Sequence, residues 1–435
     1  MARILIATVP IAGHIGPFLP IARRLAARGH EVRWYTHEKY RARIEATGAG
    51  LVAARSACRY DDSDLPGSFA ARPARAGIRQ LAFDIKHVFI DDAPGQVHDL
   101  AQIAVDFHPD VVLCDAAFVG GGMYRELSHT PQVVLGVVPL SLGGDDVAPF
   151  GLGIAPSASL LGRLRNRMLH WVVQHVVFRD VQQHWQQTRA RVGLPAAGWV
   201  LDASAHGSLY LQPTVPGFEY PRRALPGSVR FIGALPVEAP REWTPPPWWA
   251  ELDGGRPVVH VTQGTIANDR PLLFAPALEG LANDDVLVVI STGGKPPASL
   301  GLSELPANAR VGTFLSYPEL LPKTAAMITN GGYGGVQAGL QHGVPIAVAG
   351  TSEDKPEVAA RVAWSGGGID LRTASPSPTA VRDAVRALLH TPRYRERARE
   401  LAREYAEHDA ITRAVEHIET LLGDVERRPL AVVGL

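Results

Sequence analysis

Short apolar runs alternate with helical patterns from the beginning of the chain, and this alternation determines the predicted fold. An apolar run at residues 3–9 ends in a turn rich in proline and glycine, and apolar positions then recur at helical spacing over residues 18–26. Gly29 suits a helix end, and a second strand pattern follows at residues 31–35. Strand, helix and strand at such short spacing predict a right-handed parallel unit.

The same pattern returns along the rest of the chain in two sets. The first set continues with predicted strands at residues 110–114 and 133–137. The second set has predicted strands at residues 257–261, 286–290, 309–311, 327–329 and 345–348. Between the sets, residues 244–249 read Thr-Pro-Pro-Pro-Trp-Trp, which is rigid and typical of a linker.

We therefore predict an α/β protein with two Rossmann-like, doubly wound parallel-sheet domains. The first domain is predicted at residues 1–233, a linker at 234–253 and the second domain at 254–400. Charged helical segments close the chain, and residues 401–435 are assigned to closing helices and a tail.

Composition narrows the function without identifying it. Of 435 residues, 43 are Lys or Arg and 43 are Asp or Glu, so the basic surplus typical of nucleic-acid binding is missing. The two cysteines, Cys58 and Cys114, have neither disulfide-framework nor zinc spacing. No run reaches the roughly 18 apolar residues of a membrane span, and the first apolar run is better explained as a buried strand than as an export signal. We expect a cytoplasmic protein without stable membrane insertion, either a monomer or a homodimer.

His14 is the first candidate for chemistry. It lies in a glycine-rich turn after the first predicted strand, and ligands of open parallel sheets bind outside such strand ends. A neutral imidazole there can accept a proton from an acceptor hydroxyl near neutral pH. The alternative is a turn histidine that caps the helix or bonds the backbone.

Asp115 is the candidate partner of His14. It follows the strand predicted at residues 110–114, and the first and fourth strands of a doubly wound sheet are neighbours at the switch point. A carboxylate on the other ring nitrogen would fix the tautomer and stabilise the imidazolium. The alternative is an aspartate that caps the following helix or turn.

Aromatic residues between Phe150 and Trp185 either line an acceptor pocket or belong to the core. His170, His175 and His184 lie in the same stretch, and their spacing matches no zinc-protease pattern. We expect surface or packing roles for these three histidines.

The second half carries a glycine cluster between a predicted strand and a helix, Asn330-Gly331-Gly332-Tyr333-Gly334-Gly335. Glycines allow close approach of a ligand, and a helix start offers free amides, so this segment predicts a site for phosphate oxygens. It is neither a Walker loop nor G-x-G-x-x-G, because Gln337 stands where the third glycine belongs. A tight turn without a ligand is the alternative.

Two more polar segments are predicted at the same sheet edge. Residues 262–265, Thr-Gln-Gly-Thr, end the first strand of the second half, and Glu353, Asp354 and Lys355 follow the strand predicted at 345–348. The acidic side chains could accept hydrogen bonds from sugar hydroxyls. Together the three segments predict a nucleotide-sugar cleft.

At this point the chain resembles the inverting, metal-independent UDP-glycosyltransferases of GT-B fold, in their bacterial natural-product branch. The resemblance extends over nearly the whole chain, and its ordered set of motifs is specific although each motif alone is weak. The matching segments are Gly13-His14-Ile15-Gly16-Pro17, residues 231–234, Gln263-Gly264-Thr265, residues 312–321, 330–335 with 343–345, 354–355, 361–362 and 366–368.

The resemblance implies two domains that face each other across a cleft, with His14 as catalytic base and Asp115 as its partner. It implies that Phe314 stacks on the nucleobase and that the Leu315 backbone reads the edge of the base. The diphosphate would be held by Thr265, Asn330, Gly332 and the amides of Gly334, Gly335 and Val336. Glu353, Asp354 and Lys355 would face the sugar, and the closing helices would pack back on the first domain. No cofactor is implied besides the nucleotide-sugar co-substrate.

Several positions depart from the family pattern. Asn330 replaces the usual histidine, Gly335 replaces a serine or threonine, Ala338 stands where a glutamate commonly holds the ribose, and Lys355 replaces a glutamine. These departures leave the donor open between UDP-glucose, the first expectation, and a dTDP-sugar.

The predicted function is transfer of a sugar to a hydroxyl of a small apolar natural product. A nucleotide-sugar 2-epimerase or hydrolase of the same fold is one alternative, and a non-catalytic nucleotide-sugar binding protein is another. A nicotinamide dehydrogenase is less well supported, because the glycine fingerprint fails at Gln337.

Overall fold

A computed structural model describes residues 1–73, 77–237, 243–264, 272–297 and 305–426. In this part of the chain two parallel sheets form the two halves of the molecule. The strands of the first sheet are β1 (Arg3–Ala7), β2 (Glu31–Thr36), β3 (Gly50–Ala53), β4 (Val111–Asp115), β5 (Gln132–Leu135), β6 (Leu209–Gln212) and β7 (Val229–Phe231). Those of the second are β8 (Val258–Thr262), β9 (Leu287–Ser291), β10 (Ala309–Gly312), β11 (Thr324–Thr329), β12 (Ile346–Val348) and β13 (Gly368–Asp370).

Helices cover both faces of each sheet and connect its strands. In the first half they are α1 (Ala12–Ile15), α2 (Phe18–Ala27), α3 (Arg41–Glu45), α4 (Leu65–Ser68), α5 (Ile78–Phe83), α6 (Ala93–Phe107), α7 (Val119–Ser128), α8 (Leu160–Val172) and α9 (Arg179–Arg191). In the second half they are α10 (Phe274–Leu281), α11 (Tyr317–Leu320), α12 (Tyr333–Gln341), α13 (Lys355–Ser365), α14 (Pro378–His390), α15 (Pro392–Ala406) and α16 (Ala410–Glu426). Two π-helical segments, Asp84–Ile90 and Val173–Val177, extend α5 and α8, and short 3-10 turns occupy Glu38–Tyr40, Asp62–Asp64, Val200–His206, Trp249–Asp253 and Leu321–Lys323.

The strand orders are β3-β2-β1-β4-β5-β6-β7 and β10-β9-β8-β11-β12-β13. The prediction of two doubly wound parallel sheets is therefore confirmed. In each sheet the first strand of that half lies beside the fourth, with Ile6 opposite Leu113 in one and Val261 opposite Ile328 in the other. This junction is the switch point at which ligands bind in such folds.

The central strands form because they are apolar on both faces, as strands covered by helices on both sides must be. All five residues are buried in each of β4, β8 and β9. Even His260, in the middle of β8, is fully buried; its Nδ1 lies 3.1 Å from the Val289 carbonyl oxygen, and burial lowers its pKa to about 4. It is a neutral core residue.

The last two helices pack against different halves. Leu401 and Tyr405 of α15 belong to the core formed around α12 and β12, whereas Ala414, Val415 and Ile418 of α16 belong to the core of the first sheet. The boundary predicted at residue 400 falls inside α15, whose Glu404 and Tyr405 also bond Gly217 and Thr214 of the first half. Helix α16, from Ala410 onward, packs against the first sheet. No helix in the described ranges is both long and apolar enough to cross a bilayer.

Candidate active site

A cavity of about 1460 Å³ lies where the carboxyl ends of the two sheets face each other. Both halves contribute to its walls. Most of the predicted site residues line it: His14, Asp115, Phe314, Leu315, Asn330, Gly332, Gly334, Gly335, Glu353, Asp354 and Lys355. The predicted Thr265 lies outside the described residues. Segments more than 300 residues apart in sequence thus meet at one cleft.

His14 and Asp115 form a hydrogen-bonded pair on the first wall. The His14 Nδ1 lies 2.9 Å from Asp115 Oδ1, and the side chain of Asp115 is fully buried while that of His14 is 15% exposed. The backbone amides of Ala117 and Val9 donate to Asp115 Oδ1 and Oδ2, each at 2.8 Å. A carboxylate so placed favours the tautomer with the proton on Nδ1, which leaves the Nε2 lone pair of His14 free to accept a proton.

The turn that carries His14 is held by Asp62, a residue that sequence reasoning did not identify. Its Oδ2 accepts hydrogen bonds from the Ala12 amide at 2.7 Å and from the Tyr40 hydroxyl at 2.9 Å, and Lys39 pairs with the other oxygen. The four-residue helix α1 has no side-chain cap of its own. Asp62 therefore anchors the start of α1, two residues before His14.

On the second wall, Asn330 connects the ends of β8 and β11. Its backbone amide donates to the Thr262 carbonyl oxygen at 3.3 Å, and its side-chain Nδ2 donates to the carbonyl oxygen of Gln263. Gly331 follows at φ +92°, where a Cβ atom would lie 2.7 Å from a Val348 side-chain carbon. Only glycine fits that turn without displacement.

Helix α12 begins at this turn, and the residues at its start, from Gly332 to Gly335, line the cavity. The first intrahelical bond runs from the Val336 amide to the Gly332 carbonyl oxygen at 3.0 Å, so the amides of Tyr333, Gly334 and Gly335 precede it. Val336 is fully buried and does not line the cavity. The Val336 amide, which was expected to bind the diphosphate, donates within the helix instead. The free amides at the start of α12 are therefore those of Tyr333, Gly334 and Gly335.

Gln337 precedes Ala338, one of the positions that depart from the family pattern. Its side chain lies in the contact between the two halves. Its Oε1 accepts hydrogen bonds from the Tyr405 hydroxyl and, at 3.1 Å, from the Thr214 hydroxyl. Ala338 itself is buried. Neither residue supplies the carboxylate with which the family commonly holds a ribose.

Phe314 offers an aromatic surface to the cavity. Its side chain is 48% exposed, and Gly294, at φ +103°, approaches the ring so closely that a Cβ atom would lie 2.9 Å from its Cζ. The neighbouring Leu315 is buried in a cluster with Val289 and Leu320. The ring is therefore fixed from behind and open in front, which suits stacking of a planar ligand.

The segment from Glu353 to Lys355 closes the second wall. Glu353 has φ +57°, and the nearly buried ammonium group of Lys355 bonds its carboxylate and, at 3.1 Å, the Ser352 hydroxyl. Burial raises the pKa of Asp354 to about 6, although the charges of Lys355 and of His14 on the opposite wall act to lower it. Asp354 and His14 line the same cavity.

The aromatic stretch of the first half divides between the two predicted roles. Phe150 and Trp185 line the cavity, Phe178 is buried in a core cluster, and Trp171 is 58% exposed on the surface. The three nearby histidines bond protein groups: His170 the Val147 carbonyl oxygen, His175 the Trp171 carbonyl oxygen and His184 the Asp91 carboxylate.

Comparisons with known proteins find relatives that match nearly the whole chain. Residues 277–421 match a family model whose description is "Erythromycin biosynthesis protein CIII-like, C-terminal domain". The chain is 45% identical to 4'-demethylrebeccamycin synthase of Lentzea aerocolonigenes over 97% of this chain and 100% of that protein. It is 32% identical to UDP-glycosyltransferase 2 of Phaeomoniella chlamydospora over 96% of this chain and 95% of the relative.

Two solved structures share the whole fold. The glycotransferase of kitacinnamycin superposes with a TM-score of 0.73 at 25% identity, covering 96% of this chain and 98% of the other. The calicheamicin glycosyltransferase CalG4 superposes with a TM-score of 0.74 at 22% identity, covering 100% of both chains.

Proposed function

The chain belongs to the UDP-glycosyltransferase family, in its bacterial natural-product branch, and from this membership we propose the reaction that its cleft performs. It is a glycosyltransferase that uses a nucleotide-sugar donor and a natural-product acceptor. We propose an inverting, metal-independent transfer to a hydroxyl of a small apolar acceptor, with His14 as the general base. UDP-glucose is the proposed first donor and a dTDP-sugar the second.

The observation that carries this proposal is the pairing of His14 with the buried Asp115 opposite the free amides of α12. In the proposed step, His14 Nε2 removes the proton of the acceptor hydroxyl while the oxygen attacks the anomeric carbon. Asp115 stabilises the imidazolium that forms. The attack comes from the face opposite the leaving diphosphate, so the bond to the diphosphate breaks as the new glycosidic bond forms and the configuration inverts.

The leaving diphosphate is proposed to lie at the start of α12. The amides of Tyr333, Gly334 and Gly335 and the positive end of the helix dipole stabilise its developing charge, with Asn330 beside them. Phe314 stacks on the nucleobase, and Glu353, Asp354 and Lys355 contact the sugar. In this proposal the first half binds the acceptor and the second half the donor.

The experiment is a mass-spectrometric transfer screen in the presence of a chelator. Purified protein is incubated with UDP-glucose or dTDP-glucose and a panel of hydroxylated aglycones. We expect a product heavier by one hexose, and we expect His14→Ala to bind donor but to transfer about 10²–10⁴-fold more slowly. His98→Ala, an exposed histidine on α6, is the matched control and should retain activity.

Each other outcome contradicts a defined part of the proposal. Near-normal transfer by His14→Ala would exclude His14 as the base. Loss of transfer with chelator alone would exclude metal independence. Donor consumption without a glycoside, even with the full acceptor panel, would favour a hydrolase or epimerase, and donor binding with no turnover would favour a binding protein.

A further inference from the structure

A buried ionic cluster joins the two halves behind the sugar end of the cleft. It consists of Glu219 and Arg222 from the first half and Glu357 and Arg361 from α13 of the second. All four side chains are at most 5% exposed. Two negative and two positive charges make the cluster neutral, and it lies outside the group of residues assigned to donor, acceptor and proton transfer.

Every carboxylate oxygen of the cluster is hydrogen-bonded. Glu219 Oε1 lies 2.7 Å from Arg361 Nη2 and 3.2 Å from Arg222 Nη1, and Glu219 Oε2 accepts from the Leu140 amide at 3.1 Å. Glu357 Oε2 accepts from Arg361 Nη1 at 2.7 Å. A buried network satisfied to this degree fixes a single arrangement of the chain segments that enter it.

The remaining oxygen of Glu357 holds a loop of the opposite half. Its Oε1 accepts hydrogen bonds from the amides of Gly151 and Gly153, both at 2.8 Å. Both glycines have left-handed backbone, with φ +98° and +59°, and a Cβ atom on Gly153 would lie 2.9 Å from the Pro356 carbonyl oxygen. The loop therefore rests directly on the first turn of α13.

This loop carries Phe150 into the cavity, and the first turn of α13 carries Asp354 and Lys355 into it. Arg222 holds the segment that leads into this loop, donating to the carbonyl oxygens of Leu140 and Leu142 at 2.9 and 3.1 Å. One charged cluster thus sets the distance between a wall of the acceptor site and the sugar-facing segment. Buried ion pairs contribute little net stability compared with apolar packing, and their best-attested role is to fix register.

We propose that Glu357 is a positioning residue that holds the loop Pro149–Gly153 over the sugar end of the cleft, so that the acceptor, and not water, attacks the bound donor. The proposal rests on the transfer reaction proposed above. Glu357 does not contact the reacting atoms in this scheme. It acts through Phe150, whose ring excludes water from the anomeric carbon when the loop is in place.

Glu357→Gln tests the proposal with little change in shape. The glutamine has one acceptor oxygen, and the charged guanidinium of Arg361 forms the stronger hydrogen bond to it, so the two glycine amides lose their acceptor. We expect the ratio of donor hydrolysis to acceptor transfer to rise about tenfold. Donor affinity, measured by calorimetry, should change less than about twofold, since the α12 amides and Phe314 are untouched.

Gly153→Ala is the second variant, because it displaces the loop without altering a charge. The same change in the hydrolysis-to-transfer ratio is expected. The matched control is Glu404→Gln: Glu404 Oε1 also accepts an amide from the first half, that of Gly217 at 2.9 Å, but it lies on α15 away from the cavity. An equal change in Glu404→Gln would overturn the proposal in favour of general loosening between the halves.

Hydrogen exchange measured by mass spectrometry gives a readout that does not depend on catalysis. In Glu357→Gln the peptide spanning residues 147–158 should exchange at least about fivefold faster than in the wild type, because the Gly151 and Gly153 amides lose their acceptor. Unchanged exchange, or an unchanged hydrolysis-to-transfer ratio in a folded variant, would refute the positioning role. A wild-type protein that transfers no sugar would instead refute the proposed reaction, while the exchange result still decides the attachment of the loop.

Discussion

The two sheet edges that face each other across the cleft have the same topology and opposite chemistry. In the first half, Asp115 at the end of β4 accepts a hydrogen bond from the Val9 amide beyond β1. In the second half, Asn330 after β11 donates a hydrogen bond to the Gln263 carbonyl oxygen beyond β8. Each bond joins the first and fourth strands of its half, but one uses a carboxylate and the other an amide.

The difference shows how one architecture can serve two tasks. A buried carboxylate at the first edge collects N–H donors and orients His14 to accept a proton. An uncharged donor at the second edge leaves the positive end of α12 free of a competing anion, as a phosphate site requires. In the proposed reaction, the task of each edge is therefore set by one side chain at an equivalent position of the fold.

Asp115→Asn makes the first edge resemble the second, and we expect the largest effect from it. The amide has one acceptor oxygen for three donors, His14 and the Ala117 amide on one side and the Val9 amide on the other, so its NH2 group must face an N–H donor. It also carries no charge, so the imidazole loses its counter-charge and the contact that orients it is weakened. Turnover should fall about 10²–10⁴-fold with donor affinity unchanged. Steady-state kinetics and calorimetry measure the two quantities.

Asp110, which directly precedes β4, provides the matched control for Asp115→Asn. Asp110 Oδ2 accepts from the Arg3 amide at 2.7 Å, and Asp110→Asn should keep nearly full turnover. If both variants lost turnover equally, the cause would be a less stable sheet and not the lost pairing of His14 with Asp115.

Asn330→Asp makes the second edge resemble the first. The carboxylate would face the Gln263 carbonyl oxygen without a proton to share and would place a negative charge beside the diphosphate. We expect the donor dissociation constant to rise about 10–100-fold, corresponding to the roughly 1–3 kcal/mol of an unsatisfied polar group. Asn330→His keeps a donor and serves as the control; unchanged donor affinity in Asn330→Asp would contradict the assigned polarity of this edge.

Asp354→Asn tests the point where the two edges face each other. Because the folded pKa of about 6 lies above the ordinary value of 3.8, ionisation of Asp354 opposes folding. The penalty is absent below about pH 3.8, grows as the pH rises to about 6 and is fully present above it.

The variant should therefore raise the free energy of unfolding by about 1–2 kcal/mol more at pH 7.5 than at pH 4.5, allowing for partial exposure of the group. Urea denaturation at the two pH values measures the difference. An equal change in the free energy of unfolding at both pH values would show that the Asp354 carboxyl does not titrate between them.

Gly335→Ser is expected to have the smallest effect. A Cβ atom at this position meets only the Tyr317 hydroxyl, at an ordinary contact distance of 3.8 Å, so the hydroxyl that the family usually carries can be accommodated. One added hydrogen bond should tighten donor binding about 2–5-fold. Gly335→Ala separates the hydroxyl from the change in helix propensity, and equal tightening by both would remove the hydroxyl as the cause.

The switch points could be predicted from the sequence because the strands that form them contain apolar runs with a clear end. The runs that became β1, β4, β8 and β11 are each followed at once by polar or glycine-rich residues. The short strand β3 escaped prediction, since its four residues are only partly buried and carry no strong pattern. Strands β6, β7 and β13, of three or four residues each, also escaped prediction.

The cluster of Glu219, Arg222, Glu357 and Arg361 could not be predicted from local pattern. Glu219 and Arg361 are 142 positions apart, and charged residues on a helix usually indicate a solvated face. The use of the Val336 amide within α12 was also hidden, because the first residue of a helix is not fixed by sequence to better than about two to four positions. Both features depend on which segments meet, and that is decided by the assembled sheets.

Helix α16 contributes to the core of the first half although it is the last helix in the described part of the chain. The core of the first sheet contains Ala414, Val415 and Ile418 from that helix, fully buried beside Ile4 and Phe18. When the ribosome has synthesised all seven strands of the first sheet, it has therefore not yet synthesised α16, which covers part of that sheet. The core of the first half becomes complete only after the second half has been synthesised, and a fragment ending at residue 233 would lack part of its own core.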